Sequence, residues 1–125
     1  MGIWDIFAEG KAIKKHKERL QSNPDDAEAH FYLASVYEEK GRFPEAIEEF
    51  KETLRLNPKS AEAHFNLGIL YEKVKDGRNA IIHILKAGNL FGEKGDPHNK
   101  ERARKRLRDY YQKFGFKPED FPQDR

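Results

Sequence analysis

The chain has 125 residues, of which 37% are charged and 37% hydrophobic, with a formal net charge of +2 and no cysteine. That length suits one domain, and a charge content well above the roughly 25% of an average domain requires much solvated helix surface. The missing thiols exclude disulfides, thiolate metal sites and cysteine nucleophiles. No apolar run reaches the roughly 18 residues of a membrane span, and Met1–Phe7 lacks the basic start of a secretory signal, so the cytoplasm is the expected location.

Residues 1–8 contain Ile3, Trp4, Ile6 and Phe7 and are too apolar to stand free in water. Two readings follow. The preferred one is a lid folded over the first helix; the other is an interfacial membrane anchor through Ile3, Trp4 and Phe7, with Lys11, Lys14, Lys15 and Lys17 facing anionic lipid. Helical spacing of apolar residues then predicts six helices, at about 10–22, 27–40, 44–56, 61–74, 78–91 and 97–113. Asp26 and Ser60 stand at N-cap positions, Pro44 at a first helical position and Gly41 at a left-handed C-terminus. Asp96 and Pro97 start the last helix and Gly115 ends it. Ala103, Leu107, Tyr110, Tyr111 and Phe114 form its apolar stripe, and Lys100, Arg102, Arg104, Lys105, Arg106 and Arg108 cover the rest.

A period of 34 residues runs through these elements. Ala27-Glu-Ala-His-Phe-Tyr-Leu recurs as Ala61-Glu-Ala-His-Phe-Asn-Leu, and the same step carries Tyr37 to Tyr71, Ala46 to Ala80 and Ile47 to Ile81. With Leu33, Ala34, Tyr37, Ala46, Phe50 and Pro58 in one copy and Leu67, Gly68, Tyr71 and Ala80 in the next, the chain resembles the tetratricopeptide repeat (TPR) family. The resemblance implies an all-α, TPR-like right-handed superhelix of antiparallel helix pairs. It divides the single domain into a leading helix (9–24), a first repeat (27–60), a second repeat (61–92), a capping helix (96–115) and a tail (116–125). Because the second copy has Lys75, Ile84 and Gly92 where the pattern has Gly, Phe and Pro, it is expected to be the looser one.

The resemblance also implies a concave groove that holds a segment of a partner protein. On this sequence its lining would be Glu28, Phe31, Tyr32 and Ser35 from the first repeat and Glu62, Phe65, Asn66 and Ile69 from the second. Arg102, Lys105 and Arg106 of the capping helix complete it. Of the family's carboxylate clamp, Asn66, Arg102 and Arg106 match, whereas Phe31 and Ser35 replace its first-helix Lys and Asn. Leu33 and Leu67 take the core stripe, so Phe31 and Phe65 are expected to be exposed as anchors. The expected ligand is a protein or peptide segment with an apolar anchor and acidic character, not a small molecule.

Other chemistry is weaker. His30 and His64 read as packing histidines, since no HExxH pair or four-ligand set accompanies them. Glu45, Glu48, Glu49 and Glu52 alternate with Lys51 and Arg55 as on a solvated helix face. The expectation is no enzyme, no cofactor and no metal. Six cations on the last helix suit a solvated cap or an acidic protein better than nucleic acid, because no exposed aromatic is interleaved for base stacking. Self-association through the end helices stays open.

Overall fold

A computed structural model describes the backbone of residues 3–121 and the side chains of residues 10–121. The protein is all-α, with six helices packed in adjacent pairs: α1 (Ile3–Ser22), α2 (Ala27–Glu39), α3 (Phe43–Leu56), α4 (Ala61–Lys73), α5 (Gly77–Glu93) and α6 (Pro97–Phe114). A 3-10 turn at Pro118–Asp120 follows. Five of the helices lie where the periodicity puts them. The exception is α1, whose backbone is helical from Ile3 rather than folding back over residues 10–22. The side chains of Ile3, Trp4, Ile6 and Phe7, on which the lid and anchor readings depend, lie outside the described residues.

The chain forms two compact units, Met1–Pro58 and Lys59–Arg125. In the first, α2 packs against α1 and α3; its core contains Ala29, Leu33, Ala34, Tyr37, Ala46 and Phe50. In the second, α5 packs against α4 and α6 around Leu67, Leu70, Tyr71, Ala80, Ile81 and Ile84. Burying each large apolar side chain contributes about 1.5–3 kcal/mol.

Local chemistry sets the boundaries. Asp26 accepts a hydrogen bond from the Ala29 N–H at 3.0 Å and Ser60 one from the Ala63 N–H at 3.2 Å, each satisfying an N–H that the first turn leaves unpaired. Pro24 and Pro58 disfavour helical backbone at Asn23 and Asn57, and α1 and α3 stop at the residues before these. At the turn after α2, Gly41 takes the left-handed conformation (φ 75°), and Lys75 is forced into it at the equivalent turn (φ 64°).

Close approach of α4 and α5 depends on Gly68. A Cβ there would lie 2.7 Å from the Ile84 Cγ1, so even alanine would require Ile84 to move. The equivalent residues of the first repeat are Ala34 and Phe50.

The second repeat is not the looser one. Eight residues of α4 are buried, against five of α2, and α5 buries six against three in α3. Without a proline at position 92, α5 runs for 17 residues where α3 runs for 14. The added turn carries Phe91, buried, where the first repeat has the exposed Asn57.

Candidate functional site

The expected groove residues divide between the two units, and each set has its own geometry. In the first unit, Glu28 is exposed, 4.0 Å from the Arg19 guanidinium. Phe31 is half-buried rather than exposed, because its ring meets the edge of Phe50 at 5.5 Å and that of Tyr32 at 5.9 Å. Tyr32 is the exposed aromatic, at 46% accessibility, and it stacks on His16 at 5.8 Å. The Ser35 hydroxyl donates to the Phe31 carbonyl at 3.1 Å, turned back on its own helix.

In the second unit Glu62 is exposed, 3.9 Å from the Lys94 ammonium, while Asn66 and Ile69 are half-buried. Phe65 is buried at 6% exposure, which overturns its assignment as an open anchor. Two side chains close over it: Phe91 packs at 6.4 Å with the rings 66° apart, and the Arg102 guanidinium lies 5.0 Å above the ring. A long cationic side chain can cover apolar surface while its charge stays in water. Arg102 also donates from Nη1 to the Asn99 Oδ1 at 2.9 Å, and Lys105 and Arg106 are exposed. Thus Arg102 of α6 meets α4 at Phe65, while Lys105 and Arg106 are exposed on α6 and Asn66 and Ile69 are half-buried on α4.

The histidines are more specific than packing residues. The His30 Nδ1 is 2.7 Å from the Glu49 Oε2, and its Nε2 is 2.9 Å from the Pro24 carbonyl. Both neighbours are acceptors when Glu49 is ionised, so the geometry favours the doubly protonated ring of His30. Burial by itself lowers its pKa. The Glu49 and Pro24 hydrogen bonds, with the charges of Glu49 and Glu52, outweigh that and raise it above the ordinary histidine value. One repeat later, the partner of His64 is His83, with their Nδ1 atoms 3.0 Å apart, their rings stacked and Tyr71 stacked on His83. This bond needs one N–H donor and one bare acceptor. Residue 83 is position 49 of the next repeat, so the 19-residue separation common to the two pairs is the sequence signal for both. In α1, His16 is shifted the other way: burial, then Arg19 and Lys15, lower its pKa.

Among the described residues, no three His, Cys, Asp or Glu side chains gather where they could hold a metal ion, and no helix is long and apolar enough to cross a membrane.

Paired helices on a 34-residue period, small residues at the crossings and capped turns define a helical repeat protein. The chain contains TPR repeats: residues 36–75 match the family described as TPR repeat, and residues 20–48 match the one described as Tetratricopeptide repeat. No curated protein sequence matches it. Among solved structures, the chain is similar in fold to the TPR2B domain of yeast Sti1 in complex with pHsp70. That match has a TM-score of 0.78 and 18% identity, covering 88% of each chain. It is also similar to MamA MSR-1 C2, with a TM-score of 0.66, 27% identity and 72% of this chain covered; the chain spans 52% of that one. A crystal structure of the MamA protein matches with a TM-score of 0.62 and 21% identity, over 90% of this chain and 69% of the other. TPR domains are protein–protein interaction modules.

Proposed function

We propose that this protein is a non-enzymatic adaptor that holds a segment of a partner protein, and that the partner's acidic residues meet α6. The observation that carries this reading is the Arg102 guanidinium held over the Phe65 ring. Stacking leaves the guanidinium edge able to donate paired hydrogen bonds to a carboxylate, and the ring fixes its position beforehand. Lys105 and Arg106 extend the positive surface, and Ile69 and Asn66 of α4 supply apolar contact and an amide. In the first unit, Tyr32 offers an exposed aromatic for apolar contact. The Sti1 domain's complex with pHsp70 supports a protein ligand for this fold.

The test is an array of peptides, each of about a dozen residues, that varies acidic content against apolar content, probed with the parent and with Arg102→Ala/Arg106→Ala. Acidic, apolar-containing peptides should bind the parent best. The double variant should bind them at least about tenfold more weakly, with a shallower dependence on salt. Equal binding by the parent and the double variant would refute the assignment.

A further inference from the structure

We propose that the groove between α5 and α6 receives residues 3–9 of a second copy of this chain, joining copies head to tail. The groove contains a cavity of about 200 Å³ walled by Ile84, Leu85, Gly88, Ala103 and Leu107, with Lys100 and Arg104 at its mouth. Leu85 and Leu107 also wall a second cavity, which continues to Tyr111, Pro118 and Phe121 and includes Glu119. Gly88 faces Ala103, so no large side chain fills the space between the helices: a Cβ at position 88 would lie 3.5 Å from that of Ala103. An apolar cavity of about 150 Å³ is enough to hold benzene, so the first accepts one aromatic or branched side chain. From Ala103 to Tyr111 the groove extends about 12 Å along α6, the length of two helical turns.

The chain itself carries a segment of that length and chemistry. Ile3-Trp-Asp-Ile-Phe-Ala-Glu9 is helical in its backbone, and Ile3, Trp4 and Phe7 share one face by helical spacing. Its two ionisable residues, Asp5 and Glu9, are acidic. The receiving helix has the opposite sign. Lys100, Arg104 and Arg108 recur every four residues along α6, and α5 has no acidic residue before Glu93. Glu101 lies 4.0 Å from Arg104 and 3.8 Å from Arg108, and with Glu119 it leaves the groove positive on balance. From Lys11 onward α1 turns basic, which confines the docked part to its first two turns.

Lys100, Arg104 and Leu107 lie on the opposite face of α6 from Arg102, Lys105 and Arg106, so this contact does not depend on the peptide-binding reading. Because donor and acceptor surfaces differ, the association is heterologous and each copy can engage two neighbours.

Sedimentation velocity on the full chain, up to about 0.5 mM, should show dimers and longer species growing with concentration. Gly88→Leu, which fills the groove, should weaken association at least about tenfold, and so should Trp4→Ser/Phe7→Ser. A surface variant, Lys100→Glu/Arg104→Glu, should do the same with helicity and melting temperature unchanged. Mixing Gly88→Leu with Trp4→Ser/Phe7→Ser should give a one-to-one dimer and nothing larger, since each keeps the surface the other lacks. A parent that stays monomeric and binds anionic vesicles through Trp4 would overturn the proposal. So would association indifferent to Gly88→Leu and Lys100→Glu/Arg104→Glu, or a mixture that forms no dimer.

Discussion

The two repeats are near copies in sequence and differ where packing is decided. In the first, Pro58 stops α3 at Leu56 and leaves Phe31 half-buried. In the second, Gly92 lets α5 run to Glu93, and Phe91 seals Phe65, the residue equivalent to Phe31. The histidine pairs diverge in the same way: His30 rests on a carboxylate, and His64 rests on another imidazole. A repeat can thus lose a signature residue and gain burial, because a substitution that lengthens a helix also brings a new side chain onto its neighbour.

The largest expected effect separates the two phenylalanines. Phe65→Ala should cost about 3–5 kcal/mol, as for a buried ring, whereas Phe31→Ala should cost about half as much because part of its surface is already wet. Chemical denaturation of both variants checks this. Equal losses would mean that Phe91 does not distinguish the repeats.

Acid should bear directly on the His30–Glu49 pair. Since the pKa of His30 is raised in the folded state, its contribution is full below the ordinary histidine value and fades as pH rises through the raised one. Glu49→Gln should therefore destabilise by about 1.5–3 kcal/mol near pH 5.5, in the range of a hydrogen bond to a charged group, and by much less near pH 9. His83→Glu would give His64 the same partner and should raise the melting temperature more at about pH 5.5 than at about pH 9. Melting curves for the two variants at the two pH values provide the test, and a pH-independent effect of Glu49→Gln would contradict the raised pKa of His30.

The smallest effect concerns the turns. Left-handed backbone costs about 1–2 kcal/mol at a residue with a Cβ, and glycine's extra chain entropy returns about 0.5–1 of that, so Lys75→Gly should stabilise by up to about 1 kcal/mol. A lower melting temperature for Lys75→Gly would show that the lysine side chain outweighs the strain.

Most of the fold was legible in the sequence because its signals are local. Asp26, Ser60, Gly41, Pro44 and Gly115 act within a turn of where they stand, and the 34-residue period fixes which helix follows which. The candidate site was less legible because it depends on contacts between helices. Reading α4 alone, Leu67 occupies the core stripe and Phe65 falls outside it. What buries Phe65 comes from Phe91 and Arg102, which are 26 and 37 residues away in the chain. Arg102 was expected in the groove lining, and its guanidinium in fact lies over the Phe65 ring. The Glu49 and His83 partners were missed for the same reason, although the repeat period marks both positions.

The most direct test of the binding reading is to follow backbone amide shifts while the tightest-binding acidic peptide from the array is titrated into the full chain. The account predicts the largest shifts at Asn66, Ile69, Arg102, Lys105 and Arg106, diminishing as salt is added. Shifts concentrated instead on the outer face of α3, at Glu48 and Glu52, with α6 unmoved, would contradict it.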